Sequence, residues 1–261
     1  MTDISVLMIT YNESHNLNDA INNVSKLTDK IFIVDSYSND SSIEILKKNK
    51  INFIQNKFNN FGEQWNFAIN NSPFQTKWVM KIDPDERIPN SLIKEIKNKL
   101  LTNDFNDFNA FNVDRFIWFM GQKFNIKQKN LRIWKNGLCK FSDDLVNEKP
   151  LVKGRIGNLI NALEHHDSPD IAHWLNKQNL YSTLESKYLH INKEQLLKRN
   201  FIKKNFYKFP FRYFLLFFYH YFFLGAFKYG KKGYIWSYLR VLVYKLIEFK
   251  TYELYESEKT K

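Results

Sequence analysis

The segment KWVMKIDPDERIP, residues 77–89, sets a short apolar run directly in front of three acids in four positions, Asp83, Asp85 and Glu86. An apolar run closed by Pro and Asp reads as a buried strand that ends where the acids begin. The chain before it repeats this arrangement. ISVLMI (4–9), KIFIVD (30–35) and INFIQ (51–55) read as strands, while NLNDAINNVSKL (16–27), SSIEILKKN (41–49) and GEQWNFAINN (62–71) read as helices. The first of these helices would carry Leu17, Ile21, Val24 and Leu27 on one face. Strands alternating with helices predict an α/β fold with a mainly parallel sheet covered on both faces.

In such a sheet ligands collect at the carboxyl ends of the strands, so the residues after each strand are the candidates. They are Thr10, Tyr11, Asn12 and Glu13 after the first, Asp35 after the second, and the Asp-Pro-Asp-Glu run after the fourth. The first turn has neither the dinucleotide nor the P-loop glycine fingerprint, which argues against both chemistries. Pro84 favours extended backbone at Asp83, and in extended chain residues two apart point the same way. Asp83 and Asp85 would then face one point, where their charges repel unless a cation or hydrogen-bond donors lie between them. Oxygen ligands of this kind suit Mg2+ or Mn2+ carrying a diphosphate. The same four residues are also good turn chemistry, and this stretch taken alone leaves both readings open.

Length and composition fit a globular protein of 261 residues, 44% of them hydrophobic. The lone Cys139 excludes an internal disulfide framework, and MTDISVLMIT lacks the basic start and long apolar run of a secretory signal, so a cytoplasmic location is expected. Net charge is +12, and it is unevenly placed: residues 1–170 hold 22 Lys/Arg against 21 Asp/Glu, residues 171–261 hold 17 against 6. The basic third also contains the 15 uncharged residues 213–227, rich in Phe and Tyr. That run is short of the roughly 20 apolar residues a bilayer span needs. Rings mixed with cations suit an anionic headgroup layer, and the segment reads as a surface-lying membrane anchor, with a buried helical hairpin as the alternative. Lys231 and Lys232, between Gly230 and Gly233, read as the turn between two such helices. No zinc spacing, RNP-like strand or helix-turn-helix pattern accompanies the basic charge, so nucleic acid is not an expected partner.

In order along the chain, VLMITYNESHNL, IFIVDSYSNDSS, FGEQWNFAI, WVMKIDPDERIP, NLRIWKNG, VNEKP and LEHHDSPDIAHWLNKQNLYS together resemble the pattern of family 2 inverting glycosyltransferases of the GT-A fold. Within that family the sequence is similar to lipopolysaccharide-core β-glucosyltransferases and their relatives in capsule and O-antigen assembly. The resemblance covers nearly the whole chain. It implies a UDP-sugar donor, a lipid-linked saccharide acceptor and Mn2+ or Mg2+, and together with the basic, aromatic tail it leads to the expectation of work at the inner face of the cell membrane. It further implies that Thr10, Tyr11, Glu13 and Asp35 hold the uridine, that Asp83 meets the ribose or a metal-bound water, and that Asp85 ligates the metal. Gln64 and Asn66 match polar positions around the nucleotide, although Trp65 stands where relatives commonly have Arg; Asn12, at the strand exit beside Tyr11, is a further nucleotide-sugar candidate.

His165 matches the late histidine that completes the metal site in this fold, which tilts the choice slightly towards Mn2+. Glu148 matches the acceptor base, a carboxylate placed to accept the hydroxyl proton, with Asn147 where the family usually has His. The competing reading of Glu148 is a surface residue paired with Lys149. Arg132 matches a strand position near the site, where a guanidinium would hold diphosphate or a loop carboxylate. Asp143 and Asp144 read as a solvated loop, and Trp118 and Trp134 as core. The expected organisation is a catalytic domain over residues 1–170 and a helical, acceptor- and membrane-associating region over 171–261. Two other functions use some of the same features: nucleotidyl transfer, and a non-catalytic membrane scaffold of degenerate fold.

Overall fold

The computed structural model describes residues 3–102, 105, 107–142, 148–166, 170–191 and 209–259. Asp143, Asp144 and Asn147 lie outside the described residues. The chain divides into two compact units, one of Met1–Trp118 with Lys127–Asp167, the other of Phe119–Ile126 with Ser168–Lys261.

In the first unit, β1 (Ile4–Thr10), β2 (Ile31–Asp35), β3 (Asn52–Gln55) and β4 (Trp78–Lys81) run parallel in the order β3-β2-β1-β4. The connecting helices are α1 (Ser14–Val24), α2 (Ser42–Lys48) and α3 (Phe61–Asn71). The two-residue period of β1 explains how both faces are covered. Val6 and Met8 join a cluster with Leu17, Ile21 and Val24 of α1, while Leu7 joins the opposite one with Trp65 of α3, Trp134 and Phe141. Each such side chain taken fully out of water contributes about 1.5–3 kcal/mol.

Past β4 the sheet is no longer purely parallel. β5 (Glu86–Arg87) leads into α4 (Asn90–Leu101), followed by β6 (Ala110–Phe119), β7 (Gln122–Lys135) and the short strands β8 (Cys139–Phe141), β9 (Pro150–Val152), β10 (Ile156–Asn158) and β11 (Leu163–His165). The order continues β4-β7-β6-β11-β5. β7 pairs antiparallel with β4, β11 runs parallel to β6 and antiparallel to β5, and β8 and β9 form a separate antiparallel pair. Gly62 has a steric reason in this arrangement: a Cβ there would sit 1.9 Å from the Ser142 carbonyl oxygen.

Apart from the ends of β6 and β7 within Phe119–Ile126, the described part of the second unit is helical. α5 (Ile171–Ile191) and α7 (Gly230–Lys259) pack along each other, with α6 (Arg212–Phe218), a π-helical turn Tyr219–Phe223 and a 3-10 turn Ala226–Tyr229 before α7. Lys250 Nζ ties α7 to α5 through Asn179, Ser182 and Thr183 at 2.7–2.8 Å. Gly225, at φ +77°, makes the left-handed turn that lets the chain reverse. Lys231 and Lys232 differ from their expected place, because they lie in the first turn of α7, where Lys232 Nζ donates to the Met120 carbonyl at 2.9 Å. Among the described residues no helix is long and apolar enough to cross a membrane.

Candidate active site

The carboxyl ends of β1 and β2 lie in register, Thr10 opposite Asp35, and Ser36 N–H donates to the Thr10 carbonyl at 2.9 Å. Asp35 is fully buried. Its carboxylate accepts from Ser38 N–H at 2.9 Å, Ser38 Oγ at 2.5 Å and Gln55 Nε2 at 3.0 Å, so it braces the loop it was expected to offer to a nucleoside. Asn12 takes a left-handed conformation (φ +54°), and its Oδ1 accepts from Asn39 N–H at 2.9 Å. The Glu13 carboxylate accepts from Asn16 Nδ2 at 2.9 Å. Two groups at this end face outward or lack a partner. Tyr11 is 53% exposed, and Thr10 Oγ1 is buried with no hydrogen-bond partner among the described residues.

Two residues near these exits escaped the sequence reading. Asp40 accepts from Ser14 N–H at 3.0 Å and Ser42 N–H at 2.9 Å, serving the amino ends of α1 and α2. Burial opposes its charge, but the donors of Ser42 and Ser14 outweigh burial and hold the carboxyl below its ordinary value. Tyr37 is exposed with φ +61°, a conformation a Tyr rarely adopts.

At the exit of β4 the chain turns at once. Glu86 N–H donates to the Asp83 carbonyl at 2.9 Å, closing a turn with Pro84 in its second position. Pro84 therefore initiates a turn rather than prolonging extended chain, and the two aspartates find different partners. Asp83 Oδ2 accepts from Arg132 NH1 at 3.1 Å and its Oδ1 lies 3.8 Å from Lys81 Nζ. Burial opposes the Asp83 charge, and Lys81 and Arg132 overcome it to hold the carboxyl below its ordinary value. Like-charge repulsion in the Asp83–Asp85 pair is thus offset by the protein's own cations.

Glu86 is the buried centre of this corner. It is fully buried, binds Arg132 NH2 and accepts from Arg115 NH1 at 3.1 Å and Asp83 N–H at 3.0 Å. Burial works against the Arg132 charge, yet Glu86 and Asp83 raise its pKa above the ordinary value. Arg132 is therefore occupied by carboxylates of the turn. Lys81, also unforeseen, is a buried lysine whose Nζ sits 4.3 Å above the Trp65 ring and donates to Glu148 Oε1 at 2.9 Å. Glu148 is paired with Lys81 in place of its neighbour Lys149, and its side chain is 13% exposed.

Asp85 meets His165 across 80 positions of sequence: Nε2 lies 3.2 Å from Oδ2. The antiparallel β5–β11 pairing places His165 opposite Glu86, and His166 N–H donates to the Asp85 carbonyl at 2.8 Å. Arg87 NH1 fixes the turn from outside by donating to the Pro84 carbonyl at 2.7 Å. The His166 ring stacks on half-buried Trp118 with centroids 4.4 Å apart, and burial holds its pKa below the ordinary value. Trp134 is core, as expected.

The α3 candidates are anchored elsewhere. Gln64 is buried and donates to Ser36 Oγ at 3.0 Å and accepts from Asn56 Nδ2 at 2.8 Å. The Asn66 amide closes both bonds of the Phe141 backbone, at 2.8 and 3.0 Å. Trp65 is fully buried and stacks on Phe141 at 5.8 Å.

Residues 5–157 match the model of glycosyl transferase family 2. The chain belongs to this family. Curated relatives of this glycosyltransferase include uncharacterised glycosyltransferases of Rickettsia prowazekii (28% identical, covering 72% of this chain and 68% of that one) and Rickettsia conorii (27%, 71% and 70%). Among solved structures it is similar to S. aureus TarS, at 16% identity and a TM-score of 0.43, covering 72% of this chain and 43% of TarS. It is also similar to glucosyl-3-phosphoglycerate synthase from Mycobacterium tuberculosis in complex with Mn2+, uridine diphosphate and glucosyl-3-phosphoglycerate, at 14% identity and a TM-score of 0.44, covering 71% and 78%.

Among the described residues of the glycosyltransferase, no group of three or more His, Cys, Asp or Glu is arranged to hold a metal ion. The fitting pair is Asp85 with His165, one carboxylate and one imidazole in contact. Two protein donors suit Mn2+ or Mg2+ when the remaining positions go to phosphate oxygens and water.

Proposed function

We propose that this glycosyltransferase moves a hexose from a UDP-sugar to a hydroxyl of a lipid-linked saccharide, with inversion at the anomeric carbon, giving a β-linkage. The observation that carries the reading is the meeting of the Asp85–His165 pair and the Lys81–Glu148 pair around one turn at the exit of β4. Family membership supports the class of reaction, and the resemblance to lipopolysaccharide-core, capsule and O-antigen enzymes supports the acceptor.

In the transfer, a bond forms between the acceptor oxygen and the anomeric carbon as the bond from that carbon to the diphosphate oxygen breaks, its electron pair leaving with UDP. The hydroxyl proton passes to Glu148, whose carboxylate Lys81 orients at 2.9 Å. Asp85 and His165 would hold Mn2+ or Mg2+, which when bound neutralises charge on the departing diphosphate. Asp83 is the carboxylate available to the ribose, steadied by Arg132. Tyr11 and the Thr10 hydroxyl offer a ring face and a hydrogen-bonding group to the nucleoside, with Asn12, Glu13, Asp35 and Gln64 shaping the loops beneath it. In this reading residues 1–170 are the donor domain, residues 171–261 bring the acceptor, and the enzyme works peripherally on the cytoplasmic face of the membrane.

UDP release from a panel of UDP-sugars, with membrane extract as acceptor and Mn2+ present, tests the proposal. Asp85→Asn should abolish release while leaving the melting temperature within a few degrees of wild type; retained turnover would remove the metal assignment. An α-linked product would remove inversion, and release of pyrophosphate would favour nucleotidyl transfer.

A further inference from the structure

α6 and the π-helical turn carry aromatic and aliphatic side chains on most of their surface, with Arg212, Tyr213 and His220 turned to the inner side. The inner face meets α7: Arg212 NH2 donates to Glu248 Oε1 at 2.6 Å, the Phe217 ring lies 5.5 Å from Tyr234, and His220 lies 5.4 Å from Trp236. The outer face carries the row Phe211, Leu215, Tyr219 and Phe223, spaced by four, and every member is exposed, Phe211 at 67% and Phe223 at 83%. Beside it Phe214, Phe218 and Phe222 form a second exposed row, with ring centroids 4.4 and 5.1 Å apart. Contiguous exposed apolar surface of this kind marks an interaction site.

The charges around it select the partner. Residues 209–240 contain five Lys or Arg and no Asp or Glu, and Lys228 and Lys231 are exposed beyond the end of the rows. Thirteen residues, 211–223, span about 20 Å at roughly 1.5 Å each, too short for a bilayer core of about 30 Å. With Arg212 paired to Glu248, the exposed cations beside this ring-rich face are Lys228 and Lys231, and the combination suits burial just beneath anionic headgroups, the rings at the acyl boundary and the lysines among phosphates.

We propose that the outer face of α6 and the π-helical turn is an in-plane docking surface for an anionic phospholipid bilayer, with Phe211 and Phe223 entering the acyl boundary and Lys228 and Lys231 meeting lipid phosphate. This deepens the reading of a lipid-linked acceptor and rests on it only for the purpose of the surface.

The test uses the full chain in sedimentation with phosphatidylglycerol–phosphatidylethanolamine vesicles and with pure phosphatidylcholine vesicles. Binding to the anionic vesicles should be at least about tenfold tighter, and Phe211→Ser/Phe223→Ser should weaken it by about tenfold or more. Both side chains are solvent-exposed, so the melting temperature should not move. Phe223→Trp gives a second measurement, since the emission of the introduced indole should shift to the blue and be quenched by brominated lipid. No binding of wild type to anionic vesicles, equal binding by the double variant, or an indole at that position left unquenched would each overturn the proposal. So would a concentration-dependent dimer that the double variant abolishes in place of vesicle binding, which would assign the face to a second copy. Calorimetry with UDP and Mn2+ on the same samples separates the two readings: nucleotide binding without vesicle binding overturns this surface alone, and vesicle binding without nucleotide binding overturns the donor assignment alone.

Discussion

Arg132→Met probes the corner on which the candidate site is built. The guanidinium is buried and serves two acids, Glu86 and Asp83, the latter at 3.1 Å. Its removal leaves fully buried Glu86 with Arg115 NH1 at 3.1 Å and Asp83 N–H at 3.0 Å as its remaining described partners. Breaking a buried pair by deleting one member costs about 3–5 kcal/mol, because the other charge stays desolvated. Arg115 still pairs with Glu86 and methionine fills most of the vacated volume with apolar atoms, which together place the expected loss near the lower end, about 3 kcal/mol. At about 2–4 °C per kcal/mol for a chain of this size, the melting temperature should fall by roughly 6–12 °C. Urea unfolding at pH 7 gives the free energy directly. Adding Glu86→Gln removes the buried charge that has lost one of its two guanidinium partners, so the double variant should be less destabilised than the sum of the singles by about 0.5–3 kcal/mol. A loss below about 1 kcal/mol for Arg132→Met, or strict additivity in the double variant, would refute the view that this network is a coupled, desolvated unit.

Three further outcomes follow from other contacts. In the proposed transfer, Lys81→Met should lower kcat by about a hundredfold without weakening nucleotide affinity, because Glu148 loses its 2.9 Å donor while Met still packs against Trp65; unchanged kcat would separate Lys81 from the reaction. Asp40→Ala should cost about 1 kcal/mol at pH 7 by freeing the amino ends of α1 and α2. Since the Asp40 carboxyl titrates below its ordinary value in the folded chain, its stabilisation is present above the unfolded value and lost as pH falls through the folded one. The gap between wild type and variant in urea titrations should therefore close below about pH 4 and not at alkaline pH. The Cys139 thiol, buried and pushed up to about 12, should resist alkylation in the native state at pH 8 and react on unfolding; rapid native labelling would contradict its burial.

Much of the first unit was legible because it is local. Strand and helix reveal themselves through period and breaker residues over about ten positions, and in a parallel α/β sheet the functional end of each strand is simply the residue that follows it. Thr10, Asp35 and the Asp-Pro-Asp-Glu run could be picked on that rule alone. The direction of the Asp83 and Asp85 side chains could not, because Pro84 permits both an extended chain and a turn, and the choice rests on the Asp83–Glu86 backbone bond and on Arg132. Lys81 and Glu86 were passed over for a related reason: a lysine at the end of an apolar strand and a glutamate beside two aspartates look like solvated residues until the groups that neutralise them are placed.

What the sequence determined by itself is the parallel core, the acids at its strand exits and the basic, aromatic character of the last third, since all three are written in the order of neighbouring residues. The tertiary structure alone decided which acid meets which partner. His165 reaches Asp85 because β11 enters the sheet between β6 and β5, Glu148 reaches Lys81 from 67 positions away, and Arg132 reaches Glu86 because β7 pairs antiparallel beside β4. Such pairings depend on strand order and register across the sheet. Those are fixed by how the whole apolar core closes, and no short stretch of chain contains that information.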